Sequence, residues 1–489
     1  MKLKSLILGT VAAAGLSTGA FAADLGVLTS LDVCDALGIS GLTISSDTNC
    51  LQISGGVSYE FNWGDYRQGN TIGSDLIVAV TPVGSYGIIG SSGDVVGADG
   101  FETDYDSKVE AWLKFVGTAD SDFGPAKAVL KIKSVSQTRY INEGEVGADG
   151  VQLGGAALTA TSIGEVDNRD FYIDEGYVSI GDSTVIMAGK KSSIANFGDS
   201  EPFNFTKLFA WDAVDDGVGF DADGDRVNFT GEHVIQVVSD LGNGLNVGVG
   251  LENLNGADAD GLLTNAHGAG TLVGVLSYAG EGITAHVTGL AIGVLDGQVD
   301  AWGVHAGATG TFDNFRVRAA VGYLGKDYTS FGGDESNTLH AMLTGEATFD
   351  MFTVALSGEY ARAENTTAGT ESNGFGIGGS IGAAITDGVK INLGARYFNN
   401  DLTVGDENTL QVAAQLVAAV SETIKVTGEV GAYWRDTTAV TVFDFNDAVV
   451  YGSAELAWAP GGGFTSSIKG QATSEGAYRA TYKAAKTFE

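Results

Sequence analysis

Residues Leu51–Trp63, LQISGGVSYEFNW, place Leu51, Ile53, Val57, Tyr59, Phe61 and Trp63 on odd positions and Gln52, Ser54, Ser58, Glu60 and Asn62 on even ones. A strand projects successive side chains to opposite faces, so this stretch has one apolar face and one polar face. The pattern returns all along the chain. Val109, Ala111, Leu113 and Phe115 alternate with Lys108, Glu110, Trp112 and Lys114; Phe315, Val317, Ala319, Val321 and Tyr323 alternate with Arg316, Arg318, Ala320 and Gly322. Two-faced strands of about ten residues, divided by turns, are what a β-barrel needs to stand in lipid around enclosed water. Short connections (Leu241–Leu245, Phe349–Thr353, Thr386–Val389, Pro460–Gly463) alternate with long ones, the longest about Gly64–Asp106, Val135–Asn168 and Ser192–Glu232. The alternation rule counts about twenty segments. The expected fold is all-β: a transmembrane antiparallel up-and-down barrel with an even number of strands and both chain ends at one rim.

Charged residues are only 18% of the 489, against 44% hydrophobic, which suits a wall that meets lipid. The net charge of −35 repels phosphate and argues against a nucleic-acid partner. Acidic residues gather between the strand-like segments, as in Asp99–Asp106, Asp212–Asp225 and Asp258–Asp260, where they solvate loops. Lys2 and Lys4, the apolar run Leu6–Leu16 and Ala20-Phe21-Ala22 read as a secretory signal peptide over residues 1–22. Beyond it no apolar run of about 18 residues predicts a membrane helix. Cys34 and Cys50 have no histidine nearby to complete a zinc shell; in an oxidising compartment they predict a disulfide. The expected organisation is a signal peptide (1–22), a periplasmic lead-in with the cysteine pair (23–50) and a single barrel (51–489).

Val33-Cys34-Asp35-Ala36 with Gly38 and Gly41, followed by Asp47-Thr48-Asn49-Cys50-Leu51-Gln52-Ile53-Ser54-Gly55, resembles the N-terminus of the alphaproteobacterial (Rhizobiales-type) outer-membrane porin family. Gly176–Ile180 through Ala188–Ser193 resembles that family's fourth and fifth strands. Val234–Gln236 with Leu241–Leu245 and Val249–Glu252 resembles its sixth strand, turn and seventh. The resemblance implies sixteen strands, a homotrimer, a Gram-negative outer membrane with its lipid and lipopolysaccharide, and insertion by the barrel-assembly machinery. The last segment, with Tyr478, Ala480, Tyr482, Ala484 and Phe488 on one face, resembles the assembly signal of outer-membrane proteins, except that Glu489 follows the terminal Phe. In the family, the loop after the fifth strand folds into the lumen and sets the bore. By position this is 192–232, marking Asp199, Glu201, Asp212, Asp215, Asp216, Asp221, Asp223 and Asp225 as the acidic side of a constriction. Strand parity gives Lys108, Lys114, Lys127, Lys131, Lys133, Arg316 and Arg318 as the basic wall facing it. The implied function is a passive channel for small hydrophilic solutes and ions, with weak cation preference from the acidic balance.

Other motifs carry less. Asp221, Asp223, Asp225 and Glu232 echo a calcium loop, but Arg226 stands where the sharp-turn glycine belongs. No other cofactor or metal site is expected. Gly374, Gly376 and Gly379 spell GxGxxG with no helix behind them, and Ser380 in GxSxG sits inside an alternating strand. His233, His267, His286, His305 and His340 show no metal-ligand spacing. No catalytic constellation is evident, so the chain reads as a non-enzyme. Two alternatives remain: a secreted Gly- and Asp-rich surface or adhesin protein with a β-solenoid fold, and an outer-membrane barrel enzyme.

Overall fold

A computed structural model of the chain describes residues 32–64, 105–141, 162–195, 199, 201–210, 230–255, 270–297, 299–327, 335–402, 405–437 and 445–489. One sheet of 21 strands runs through it; setting aside the three-residue strand Thr43–Ser45 leaves 20, each antiparallel to its sequence neighbours. The first barrel strand, Asn49–Trp63, pairs with Tyr105–Ala119 on one side and with the last strand, Tyr478–Phe488, on the other, which closes the barrel. Twenty strands match the alternation count and correct the sixteen implied by family resemblance. The barrel begins two residues before the expected boundary, at Asn49.

Register shows which face is which. In-register partners share a face, and the face carrying Val57, Leu276, Val304, Leu343, Leu356, Ile377 and Leu393 is exposed. The opposite face carries Glu60, Lys108, Lys131, Arg318, Glu359 and Arg396. A large, continuous exposed apolar surface on a closed barrel is its lipid-facing outside. Aromatic rings edge it at both ends. Phe315 and Phe349 meet edge to face at 5.9 Å beside the short turns. Eight residues along their strands from Phe315 and Phe352 stand Tyr323 and Tyr360, on either side of the strand Glu335–Phe349, and their hydroxyls donate to the side chains of Asn337 and Asn373. At about 3.4 Å per residue and a tilt near 40°, eight residues span roughly 21 Å, close to the height of an apolar barrel band. The rings bury their bodies in hydrocarbon and turn their polar tips to water, as interfacial aromatics do.

The turns after Ala301–Phe312 and Glu335–Phe349 lie at the same rim. Phe312–Phe315 and Phe349–Phe352 close with Asp313 and Asp350 at positive φ, the geometry a two-residue hairpin demands. The same rim holds the C-terminus and the N-terminal lead-in. There Cys34 and Cys50 form a disulfide, and Thr43–Ser45 pairs with Cys50–Gln52 just below the point where the last strand stops.

The expected long connection Val135–Asn168 is a correction: strands run on to Ile141 and resume at Ser162, with Val135 opposite Asn168. Outside the lipid band both faces of a strand meet water, so the two-residue hydrophobic period fades while the hydrogen-bonded ladder continues.

Candidate functional site

The segment joining Thr184–Lys190 to His233–Asp240 does not stand away from the barrel. Its described residues lie against the inner, polar face, attached from strand to strand. At the base, Glu252 is fully buried: its carboxylate accepts from the Ile194 and Gly231 backbone N–H groups at 3.1 and 2.7 Å and from Gln236 Nε2 at 2.8 Å. Gln236 Nε2 also donates to the Ser192 carbonyl. One carboxylate therefore holds both limbs of the loop.

Farther along, Asp199 Oδ2 lies 3.2 Å from His286 Nε2, and Thr309 Oγ1 donates to Oδ1. The imidazole contact is close but not in line for a hydrogen bond. Burial pushes the Asp199 carboxyl up, while His286, Arg318 and Thr309 pull it down, and the net position is below its ordinary value. A side chain at Gly307 would strike both the carboxylate and the imidazole, so glycine here makes room for the pair. His286 also meets His305 edge to face at 4.7 Å.

The loop then crosses two arginines. Arg318 donates to the Glu201 carbonyl at 2.7 Å, and the Arg316 guanidinium lies 3.8 Å from the centre of the Phe203 ring. The Phe203 N–H donates to Thr344 Oγ1, and Ser357 Oγ donates to Asn204 Oδ1. At the far end, Glu359 accepts from the Phe209 and Ala210 N–H groups, each at 3.0 Å. Arg396 donates to the Leu208 carbonyl and to Gln411, with its guanidinium 3.6 Å above the Phe209 ring. Phe209 packs edge to face on Tyr433. The glycines of Thr370–Thr386 and Val389–Leu402 complete the seat: a Cβ at Gly378 would meet Leu208 and Asn204, and one at Gly394 would meet Phe205 and Thr206.

These attachments run from His233–Asp240 round to Ile424–Thr437. By strand order, the wall across the lumen from them is Asn49–Trp63, Tyr105–Ala119, Ala126–Ile141 and Ser162–Gly181, together with the last two strands. Its inner face carries Lys108, Lys114, Lys127, Lys131 and Lys133, most of them paired with acids on the same wall. Lys114 reaches Glu175 at 2.9 Å, Lys131 reaches Asp174 at 2.5 Å, and Glu110 lies 3.1 Å from Lys133 and 3.4 Å from Lys108. Lys483 of the last strand pairs with Glu60 at 3.0 Å.

Of the expected acidic loop residues, Asp199 and Glu201 lie within the loop as described; Asp212, Asp215, Asp216, Asp221, Asp223 and Asp225, with the calcium-like stretch, lie outside the described residues. Arg316 and Arg318, expected across the pore from the loop, instead lie beneath it and brace it. The loop has folded onto the wall that displays them: Arg318 meets the Glu201 carbonyl and Asp199, and Arg316 lies under the Phe203 ring while pairing with Glu346. Glu252, Glu359, Gln236 and Arg396 were not singled out in the sequence, and His286 stood out only as one of five histidines without metal-ligand spacing. Parity places each on the inner face, but nothing in a linear pattern says which arc of wall a loop will cover.

No family model and no curated protein matches the chain. Solved structures with a similar arrangement include an anion-selective porin from Comamonas acidovorans (11% identity, TM-score 0.38, covering 90% of this chain and 100% of that one). A mutant of the porin from Rh. blastica is 13% identical, at TM-score 0.33 over the same shares. The outer membrane channel DcaP of Acinetobacter baumannii is 12% identical, at 0.31 over 92% and 100%. At such identities and scores, the reading of this chain rests on its own residues.

Proposed function

We propose that this chain is an outer-membrane porin: a passive, water-filled channel through which small hydrophilic solutes and ions move down their gradients. One observation carries the reading. A loop is bonded across the polar inside of a closed barrel whose outside is apolar, so the lumen is narrowed without being lined by hydrocarbon. Mixed charges on the wall opposite the loop keep the passage wet and disfavour apolar solutes. Chemistry is not needed for transport down a gradient, so the reading assigns no catalytic residue and no cofactor.

The finer points rest on the sequence. Membership of the Rhizobiales-type porin family, assembly as a homotrimer, insertion by the barrel-assembly machinery and contact with lipopolysaccharide rest on the quoted motifs and on Phe488, one residue before the end. The signal peptide at 1–22 and the division into lead-in and barrel belong to the same proposal, as does the acidic side of the constriction among Asp212–Asp225. Weak cation preference, suggested by the −35 charge balance, would come from those loop acids.

Swelling of proteoliposomes in solutes of graded size tests the function. The expected result is uptake that slows steadily as solute size grows and stops at a cut-off. Permeability no greater than that of protein-free vesicles would reject it.

A further inference from the structure

The wall that faces the loop is not uniformly ionic; it is stepped with aromatic rings. Trp112, Lys133 and Tyr172 lie in register across three adjacent strands, so all three share the inner face. Trp112 is half-buried and Tyr172 is exposed. Two residues toward the short-turn rim lies the row Lys114, Lys131 and Glu175, and two residues beyond that the row Val116, Val129 and Tyr177. The aromatic steps are therefore roughly 14 Å apart along the strands, with a charged row between them. Lys131 Nζ lies 5.7 Å from the Trp112 ring centre and Lys191 Nζ 5.6 Å from that of Tyr177, so a cation flanks both steps.

A register shift opposite Lys131 and Ile132 leaves Asp174 as an extra residue in Ser162–Gly181. This β-bulge allows Asp174 and Glu175, adjacent in sequence, both to reach Lys131, at 2.5 and 3.8 Å. Bulges re-aim side chains in this way. The lysines and carboxylates of the row are matched against each other, so the row presents many donors and acceptors with little net field. A free ion would have to displace an internal partner to bind there. A neutral ring with hydroxyls around its edge and C–H groups on its faces would not: its face lies flat on an aromatic step, and its hydroxyls bond to both members of a pair.

Resting on the channel reading, we infer that the Trp112–Tyr172 and Tyr177 steps form a binding track for neutral saccharides, with Lys131, Asp174 and Glu175 supplying the hydroxyl contacts. The channel would then admit sugars by weak, saturable binding in addition to sieving by size.

The test uses the full chain in a planar bilayer, with ionic current recorded during titration with maltotriose and, separately, with a polyethylene glycol of equal hydrodynamic radius. The expected result is a saturable fall in current with the trisaccharide and none that saturates with the polymer. Trp112→Ala should raise the half-blocking concentration roughly tenfold, the loss of one stacking platform, while Trp112→Phe stays near the parent. Tyr177→Ala provides a second variant with the same expectation, each compared with its own open current. Absence of any current from the parent protein would defeat the channel reading itself. Normal current without saturable block, or equal block in the parent and both alanine variants, would overturn the saccharide track alone.

Discussion

Replacing Glu359 with alanine should unfasten the tip of the constriction loop. The Glu359 carboxylate is 7% exposed and accepts one backbone N–H on each oxygen, from Phe209 and Ala210, both at 3.0 Å. Its removal takes the acceptor from two backbone donors. At about 1–3 kcal/mol for each stranded group, the docked tip loses on the order of 2–6 kcal/mol. Every 1.4 kcal/mol is a factor of ten, so the docked-to-released ratio should fall by about thirtyfold at the least. Arg396 still holds the Leu208 carbonyl and Glu252 still holds both limbs, so the tip frays while the base stays attached. The barrel itself, closed by its own ladder, should keep its melting behaviour. The assay is single-channel recording: the variant's open current should become noisy, with excursions to higher conductance. Glu359→Gln, which keeps one acceptor oxygen, should fall between. A Glu359→Ala channel as quiet as the parent, in protein that migrates as folded barrel, would refute the claim that this carboxylate positions the loop.

Other perturbations act on the same geometry. Gly378→Val places carbon within about a contact of Leu208, Asn204 and the Lys207 carbonyl, so it should lift the loop into the lumen and lower conductance; unchanged conductance would mean the seat is slack. Asp199 titrates below its ordinary value in the folded chain, so its hold on the wall is present above that value and is lost as pH falls through the lower folded one. Loop noise should therefore stay flat from pH 7 to about 4 and rise only below, and a rise already at pH 6 would contradict the assignment. Reducing Cys34–Cys50 releases a loop worth about 3 kcal/mol in the chain-entropy model, which should speed amide exchange at Thr43–Ser45; unchanged exchange would show that the lead-in is held by other contacts. Reversal potentials in a salt gradient should show weak cation preference, and anion preference would place control with the inner lysines.

Much of the barrel was legible because the lipid-facing and water-facing sides of each strand demand opposite chemistry. Val109, Leu113, Val317 and Val321 could be assigned to the outside from spacing alone, and the turn at Asp350 from the short connection Phe349–Thr353. Legibility failed where that demand lapses. Past the apolar band, between Val135 and Asn168, the ladder continues with no hydrophobic period to betray it. It failed again where long-range folding decides. Arg318 is as clearly inward as Lys131, yet one braces a loop backbone and the other pairs with Asp174 and Glu175 of its own wall, because the described part of the loop lies against the arc that carries Arg318. Glu252 and Glu359 look like ordinary inward acids until the loop's N–H groups arrive to meet them. The aromatic steps were half visible: Trp112 stood on the polar side of its strand in the alternation, but Tyr172 and Tyr177 came beside it only through the bulge at Asp174.

Ionic current through a planar bilayer containing the purified chain tests the central claim most directly. A lumen narrowed by a docked loop but bounded by paired charges predicts stepwise insertions, each adding a fixed current that is linear in voltage and persists for long periods. Protein that inserts as folded barrel yet passes no current would show that the loop seals the lumen and would contradict the account.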